Sequence, residues 1–394
     1  MKKHILRKAA VICALSLSLT GCNIRKAPEE SEIETWLRNA RLDAEETPEQ
    51  LYQAALKENT LIVYSASTRI YQTKKSFEEE YPGLTVEIYD MRAYDMVAAL
   101  KEGFERRKYE CDIVVVSEGT GSLTRELLPE HIINTYMPAD IEKNLRPDSR
   151  AELLYFMAEC QQLFYNSEVY ESCPVSNWWE LTEPEWYGRI YMNSPLRSHP
   201  SYAMLHSAIN QSDAMAAAYE ERYGEPLTDA LEGNAGKEFY KRLLQNGIHL
   251  TTSSNELLEL VGASGQEKPP LAFMISSKIR RNAIGYKTEP AYNIIPIDGI
   301  YVPNSVSIAG GAQNVNSAKL FIRWLAGEAD GTGEGLKPYL TDGSWSTRTD
   351  VKTDARVALE DGNFWYNDVD EMYEQQEEIT DFWLRILKEY KVTD

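Results

Sequence analysis

Four apolar segments of the chain end in small hydroxyl or amide residues, and helix-like patterns alternate with such segments along the chain. The segments are LIVYS, IVVVS, RIYMNS and LAFMISS, which end at Ser65, Ser117, Ser194 and Ser277. Short β-branched runs that alternate with amphipathic helices are typical of parallel strands in a sheet with helices on both faces. The sequence therefore predicts an α/β fold, in which a ligand binds beyond the carboxyl ends of the strands.

Apolar periodicity places helices between these strands. One helix is predicted over RIYQTKKSFEEEY, residues 69–81, and a second over about residues 94–108. Further helices are predicted at 212–223, at 235–246 with Gly247 as its stop, and at 254–261. Helices are also predicted in the last third of the chain, with apolar stripes that are typical of packing surfaces.

The first residues carry a targeting signal that is not part of the fold. Basic residues precede an apolar stretch from Ala9 to Leu19, which ends in the box LTGC at Cys22. This pattern resembles a bacterial lipoprotein signal, which implies cleavage of residues 1–21 and a lipid on Cys22. Residues 23–45 are polar and lack a sustained apolar stripe, so we expect a tether over 22–45 with one or two helical turns. An ordinary secretory signal with a chance cysteine stays open as the alternative. Both readings place the chain outside the cytoplasm, and the first anchors it to the cell membrane.

Length and charge limit the classes of partner. A chain of 394 residues is too long for one ordinary core and suits two domains. With 61 acidic and 41 basic residues its formal net charge is −20, which argues against binding nucleic acid or anionic lipid through bulk charge. An anionic small ligand stays possible, because local groups set a binding site.

The cysteines allow two interpretations. Cys160 and Cys173 are close enough in sequence to form a disulfide outside the cytoplasm, which would leave Cys111 unpaired. Buried free thiols are the alternative.

Catalytic motifs do not stand out in the sequence. It has no G-x-S-x-G elbow, no H-E-x-x-H pair and no Walker loop, and its five histidines lack the spacing of metal ligands. We therefore expect a protein that is not an enzyme and that needs no cofactor.

Several motifs occur together in the order of one known family. They are LIVYSASTR with FEEEYPGLTVEI, DIVVVSEG, FYNSEVY, NWWELTEPEWYGRIYMNSP, VGASGQEKPPLAFMISSK, IDGIYVPNSVSIAGG and WSTRTDV, between about residues 60 and 351. With these motifs the chain resembles the bacterial extracellular solute-binding lipoproteins of ABC importers, in their iron(III)-type branch. The resemblance implies the type 2 periplasmic-binding-protein fold, in which two α/β lobes with mostly parallel sheets are joined by two crossing hinge segments.

The same resemblance implies boundaries for the lobes. Lobe one is expected over residues 46–160 and 290–394, and lobe two over 166–285. The first crossing is expected at LFYNSEVY and the second near residues 286–302. A solute would bind in the cleft between the lobes, and the lobes would close on it by hinge motion.

The polar strand ends supply candidate ligand-binding residues. Backbone N–H groups and the positive dipole end of a helix suit an anion, and a hydroxyl there adds a rotatable donor. Each residue could instead serve only as a helix N-cap. The candidates are Ser65, Ser67, Thr68, Ser117, Glu118, Gly119, Thr120, Asn193, Ser194, Ser198, Ser276, Ser277, Lys278 and Tyr301.

Charged side chains near these positions bear on the solute. Lys278, Arg197 and Arg69 are placed to bind a phosphate, sulfate or carboxylate group, unless they are solvated surface charges. Glu118 would repel an anion but could accept from an ammonium group or a sugar hydroxyl, or bind a metal. Its alternative role is that of an acid in the first turn of a helix.

Ferric ion is the second candidate solute. Family members that bind it commonly use adjacent tyrosines, but none of the 24 tyrosines of this chain are adjacent. Tyr165, Tyr286, Tyr292 and Tyr301 lie near the expected crossings as isolated candidates, so the identity of any metal ligand stays open. A sugar phosphate or another organophosphate therefore ranks ahead of iron.

The resemblance also implies partners. A monomeric binding protein would deliver its solute to the permease and ATPase subunits of an ABC importer. The alternative is a sensor subunit that reports the solute to a membrane histidine kinase, and the neighbouring genes would distinguish the two.

Overall fold

A computed structural model describes residues 31–393 of the chain, so the signal segment, Cys22 and the first part of the expected tether lie outside the described residues. The helices are α1 Glu32–Ala40, α2 Pro48–Ala55, α3 Ile70–Glu80, α4 Ala93–Glu105, α5 Ala139–Glu142, α6 His199–Asn210, α7 Ser212–Tyr223, α8 Ala235–Gln245, α9 Ser254–Gly262, α10 Val315–Leu325, α11 Val369–Glu374 and α12 Gln376–Tyr390. The strands are β1 Leu61–Ser65, β2 Val86–Asp90, β3 Ile113–Ser117, β4 Ile133–Asn134, β5 Leu154–Asn166, β6 Ile190–Asn193, β7 His249–Thr251, β8 Leu271–Ile275, β9 Thr288–Pro290, β10 Gly299–Ala309, β11 Trp345–Ser346 and β12 Phe364–Trp365.

The main strands lie in the order β2-β1-β3-β10-β5-β8-β6-β7. Strand β1 pairs in parallel with β2 and β3, and β6 pairs in parallel with β7 and β8. Between these two groups lie β10 and β5, which run antiparallel to each other. The predicted α/β architecture with two mostly parallel groups of strands is confirmed.

Two long strands cross between the lobes. Strand β10 pairs with β3 of lobe one, and β5 pairs with β8 of lobe two. The first crossing therefore begins at Leu154, well before the predicted LFYNSEVY segment, and all of β5 is buried. The second crossing runs through Gly299–Ala309, at the end of the predicted range and beyond it.

Local sequence explains where the helices begin and end. The side chain of Ser198 caps α6 by accepting from the backbone N–H of Ser201, and Asn234 caps α8 in the same way. Gly247 follows α8 with φ +71°, a left-handed conformation that suits glycine. The helices predicted at 212–223, 235–246 and 254–261 are confirmed to within one residue at each end.

The described part of the expected tether is folded onto lobe one. Ser31 and Glu34 form a capping box at the start of α1, and the indole N–H of Trp36 donates to the carbonyl of Ala312 at 2.9 Å. The buried ammonium of Lys319 binds the Glu46 carboxylate at 2.7 Å. The fold thus begins before residue 46, because Trp36 gives α1 an apolar contact with lobe one.

The C-terminal third divides between the lobes. Helix α10 packs in the apolar core of lobe one with β1, β3 and α3. Helix α12 instead packs in the core of lobe two, where the Trp383 ring lies 5.7 Å from the Tyr240 ring. We expected all of residues 290–394 in lobe one, but the apolar stripe of α12 covers α8.

The cysteines in the described part of the chain, Cys111, Cys160 and Cys173, are free thiols. Burial raises the pKa of the Cys173 thiol to about 11 and that of Cys160 well above its ordinary value. Among residues 31–393 we find no helix that combines the length and the apolar character needed to cross a membrane.

Candidate functional site

A cavity of about 360 Å³ lies between the lobes at the carboxyl ends of the strands. Its volume is within the range of small-molecule sites. Side chains on β5 and β10 form its floor, and the loops that start α3, α4, α6 and α9 form its walls. The residues around it include Ser67, Thr68, Arg69, Asp90, Arg92, Ser117, Glu159, Gln161, Asn193, Arg197, Ser198, His199, Thr252, Ser253, Ser254, Asn255, Ser277, Lys278, Arg280, Val302 and Asn304.

The structure brings part of the predicted site together around this cavity, which we call the cleft. The predicted residues that line it are Ser67, Thr68, Ser117, Asn193, Ser198, Ser277 and Lys278. They come from all four strand ends that the sequence singled out.

Three predicted serines lie outside the cleft lining and bond to backbone groups. The hydroxyl of Ser65 donates to the carbonyl of Ser67 and accepts from its N–H, each at 3.1 Å. Ser194 accepts from the N–H of Leu196 at 3.1 Å. Ser276 accepts from the N–H of Cys160 at 2.8 Å. These hydroxyls therefore hold the loops in shape.

The loop after β3 is organised by Glu118, which is buried. One carboxylate oxygen of Glu118 accepts from the backbone N–H groups of Gly119 and Gly121, at 3.1 and 2.9 Å. The other accepts from the N–H and the hydroxyl of Thr124, at 3.1 and 3.0 Å. Burial raises the pKa of Glu118, while these hydrogen bonds oppose the rise. Thr120 bonds to Ser122 at 2.7 Å, and none of Glu118, Gly119 and Thr120 lines the cleft.

Tyrosines do not line the cleft in the described part of the chain. Tyr301 stacks on Tyr366 with ring centroids 4.6 Å apart, and its neighbourhood is the small core around Trp345. Residues 31–393 also contain no group of three or more histidine, cysteine or acidic side chains that could hold a metal ion.

Basic side chains outnumber acidic ones around the cleft. Arg69, Arg92, Arg197, Lys278 and Arg280 line it, whereas Asp90 and Glu159 supply its carboxylates. Among the described carboxylates, none forms an ion pair with Lys278 or Arg280. Their hydrogen bonds go to neutral groups instead: Lys278 donates to the Asn255 side chain at 2.9 Å, and Arg280 to the carbonyl of Ser277 at 2.6 Å.

Burial and repulsion disfavour the charges of these two cations. Burial lowers the pKa of Lys278 to about 8, and the neighbouring Arg280 charge adds to the effect. Burial lowers the pKa of Arg280 to about 10, and the Arg69 charge adds to it. The Glu159 carboxylate acts in the opposite direction on the pKa of both. An anion bound here would offset both effects.

Arg69 is already paired. Its guanidinium donates to Glu159 at 2.8 Å, to the Ser344 hydroxyl at 3.1 Å and to the Ser67 hydroxyl at 3.3 Å. It also lies over the Tyr339 ring at 4.5 Å. The Arg69–Glu159 ion pair is buried and links the first loop of the cleft to crossing strand β5.

His199 joins the lobes beside the cleft. From the first turn of α6, its ring packs edge-on against Tyr94 of α4 at 4.7 Å, and its Nδ1 donates to the carbonyl of Ser117 at 2.9 Å. Burial lowers its pKa to about 4, while the hydrogen bond to Ser117 opposes this shift. The imidazole is therefore neutral near pH 7.

Sequence reasoning missed Arg92, Glu159, Arg280 and Asn304. Arg280 lies in the basic run SSKIRRN, where its spacing from Lys278 is a usable signal. Glu159 was detectable as a lone carboxylate in the apolar segment LYFMAECQQLFYN, since such residues are rarely buried without a partner.

Comparisons with known proteins show what this fold is similar to. No protein-family profile matches the sequence, and no curated protein sequence matches it. Solved structures do match. Iron-bound HitA from Pseudomonas aeruginosa superposes with a TM-score of 0.60 at 15% identity, over 83% of this chain and 99% of HitA.

Two further solved structures match a similar share of the chain. AfuA from Actinobacillus pleuropneumoniae, a periplasmic binding protein with exogenous fructose-6-phosphate bound, gives a TM-score of 0.63 at 15% identity, over 85% of this chain and 99% of AfuA. The ferric binding protein from Campylobacter jejuni gives 0.59 at 18% identity, over 83% and 99%. The chain has the two-lobed fold of the periplasmic binding proteins.

Proposed function

We propose that the chain is a lipid-anchored extracytoplasmic solute-binding protein. It captures a small phosphate-bearing anion in the cleft and delivers it to the permease and ATPase of an ABC importer. The observation that carries this proposal is the excess of cations in the cleft, where Lys278 and Arg280 have no carboxylate partner among the described residues. Half-buried cations of this kind are stabilised by an anionic ligand.

The helices around the cleft add to this attraction. Four helices, α3, α4, α6 and α9, begin at the cleft wall, so their N-termini lie there. Each contributes a partial positive charge and backbone N–H groups, which suit a phosphate. The hydroxyls of Ser67, Thr68 and Ser277 supply further donors at the same wall.

The same charges disfavour a bare ferric ion. Five basic side chains repel a trivalent cation, and one of the two cleft carboxylates is paired with Arg69. The tyrosines near the crossing strands lie outside the cleft lining. Of the ligands bound in the similar structures, the fructose 6-phosphate of AfuA therefore fits this cleft better than the iron of HitA.

Capture requires that the lobes open and close. Strands β5 and β10 are the natural hinge, because they connect the two lobes and carry Glu159, Val302 and Asn304 at the floor of the cleft. A lipid on Cys22 would keep the protein at the membrane, where a permease can receive the solute.

A thermal-shift screen tests the proposal. The purified mature chain is heated with sugar phosphates, inorganic oxyanions, polyamines or ferric citrate. We expect a phosphate ester to raise the unfolding temperature, since a ligand at 100 times its Kd adds about 2.7 kcal/mol of stability. Stabilisation by ferric citrate or a polyamine, and by no phosphate compound, would contradict the proposal.

A further inference from the structure

We infer that Glu159 selects a phosphate ester whose organic part carries hydroxyl groups, over inorganic oxyanions and over phosphate esters with a plain alkyl group. This inference rests on the proposed function, because it presumes that Lys278 and Arg280 hold the phosphate. It concerns the part of the solute that faces Glu159 at the floor of the cleft.

Glu159 lies at the floor of the cleft on crossing strand β5. Val302 is directly opposite it on β10, and the side chains of Gln161 and Asn304 follow two residues further along their strands, on the same face. Only 5% of Glu159 is exposed. Its carboxylate is therefore fixed in position and partly desolvated before a solute arrives.

The carboxylate of Glu159 has unused acceptor capacity. Oε1 accepts from Arg69 at 2.8 Å, and Oε2 accepts from the side-chain amide of Asn304 at 3.2 Å. A carboxylate can accept about four hydrogen bonds. Because Glu159 also lines the cavity, its remaining lone pairs are available to a donor on the solute.

The charge of Glu159 decides which chemical group of a solute can lie beside it. Glu159 neutralises Arg69, so a second anionic group placed beside it would meet repulsion. An alkyl group there would cover the remaining lone pairs without offering a donor, which is costly for a charged acceptor. A hydroxyl group offers the donor that the Glu159 carboxylate lacks. The solute that fits the cleft therefore has a phosphate for Lys278 and Arg280 and hydroxyls for Glu159.

The first test uses the wild-type chain and matched ligands, so it does not depend on any variant folding. Fructose 6-phosphate and glycerol 3-phosphate carry hydroxyls, whereas n-propyl phosphate has none and inorganic phosphate has no organic part. By titration calorimetry we expect the better hydroxylated ester to bind at least about tenfold tighter than n-propyl phosphate. Equal affinity for n-propyl phosphate would overturn the inference and leave the proposed function standing. Failure of all four to bind would overturn both.

The second test uses Glu159→Gln, with Glu238→Gln as its control, since Glu238 is also buried and ion-paired but lies on α8. We expect Glu159→Gln to weaken the hydroxylated ester about tenfold and to leave n-propyl phosphate unchanged or bound more tightly, because a repulsive charge is lost. Glu238→Gln should leave the ratio of the two affinities as in wild type. If Glu159→Gln lowered the affinity for both ligands equally, Glu159 would be only a structural partner of Arg69 and the inference would be wrong.

Discussion

Nδ1 of His199 lies 2.9 Å from the carbonyl oxygen of Ser117, and this hydrogen bond joins the first turn of α6 in lobe two to the end of β3 in lobe one. Both residues line the cleft. Opening of the lobes would break the bond and expose the imidazole to water. Closure and the protonation of His199 are therefore linked.

We expect solute affinity to fall in acid through His199. Burial lowers the pKa of this group to about 4 in the closed state, and exposure in the open state would return it toward 6.5. The neutral imidazole thus favours closure fully above pH 6.5, and this contribution is lost as the pH falls from 6.5 to 4, by up to about tenfold in affinity per pH unit. The neighbouring phenols of Tyr94 and Tyr202 do not titrate in this window, because burial raises the pKa of each. The carboxyl of Glu118 has a pKa that is raised by burial, but its hydrogen bonds go to its own loop in lobe one and not to His199.

Calorimetric affinities between pH 5 and 8 check this prediction. A phosphate monoester also titrates near pH 6, so the informative quantity is the difference between wild type and His199→Gln with the same ligand. His199→Gln keeps a donor for Ser117 and should flatten the acid slope. His206→Gln is the control, because His206 is buried on the same helix but bonds to Asn367. A slope unchanged in His199→Gln would contradict the linkage.

Gly119→Ala should weaken solute binding without destabilising the free protein. A Cβ at this position would lie 2.7 Å from both Cβ and the carbonyl oxygen of His199 in the other lobe. The clash exists only when the lobes are closed, so we expect at least about a tenfold loss of affinity, or 1.4 kcal/mol. The unfolding temperature of the ligand-free protein should change little.

Gly236→Ala is the contrasting control for this prediction. Its Cβ would meet the carbonyl of Ala208, and both residues belong to lobe two. That clash cannot be relieved by opening the cleft, so the variant should lose stability with or without ligand. If Gly119→Ala behaved in the same way, Gly119 would matter for folding and not for closure.

Much of the cleft could be predicted from its strand ends, but the predicted set was too broad. A strand followed by a hydroxyl-rich turn predicts a corner of the cleft, and Ser67, Ser117, Asn193 and Ser277 line the cavity as expected. The same signal included Ser65, whose hydroxyl bonds to the backbone of its own turn. The sequence does not distinguish a hydroxyl that faces the cleft from one that bonds to its own turn, because the direction of a side chain depends on the conformation of that turn.

Features that depend on distant pairing could not be predicted. The sequence marks Glu159 as a lone carboxylate in an apolar segment, but its place at the cleft follows only from the pairing of β5 with β10 at the centre of the sheet. The apolar stripe of α12 predicts a packing surface, but periodicity does not reveal which part of the protein it covers. In the structure that part is α8 of lobe two.

Trp383→Ala should destabilise lobe two in particular. Trp383 is fully buried against Tyr240, and truncation of such a ring costs about 3–5 kcal/mol. Chemical denaturation measures the loss, and hydrogen exchange should locate it in α8 and its neighbours. Leu384→Ala is the control, since Leu384 is next to Trp383 in sequence but is 47% exposed. Its truncation should change stability by less than about 0.5 kcal/mol. Faster exchange confined to lobe one would contradict this packing.

Phosphate binding should be accompanied by proton uptake at mildly alkaline pH. Burial lowers the pKa of Lys278 to about 8, so the free side chain loses its proton above that pH, while a bound anion would restore the ammonium. The contribution of Lys278 to affinity should therefore be complete below pH 8 and be lost above it, by up to about tenfold in affinity per pH unit. Calorimetry at pH 8.5 in two phosphate-free buffers with different ionisation enthalpies measures the uptake. Lys278→Met should abolish it, and unchanged uptake in that variant would assign the proton to another group.

The most direct measurement is a calorimetric titration of the purified chain with fructose 6-phosphate, glycerol 3-phosphate and ferric citrate, beside the double variant Lys278→Met/Arg280→Met. We expect wild type to bind a phosphate ester and not ferric citrate. The double variant should lose at least about a hundredfold in affinity, since each charge-assisted contact contributes about 1.5–3 kcal/mol. Equal binding of the ester by the double variant, or binding of ferric citrate alone by wild type, would contradict a phosphate site at Lys278 and Arg280.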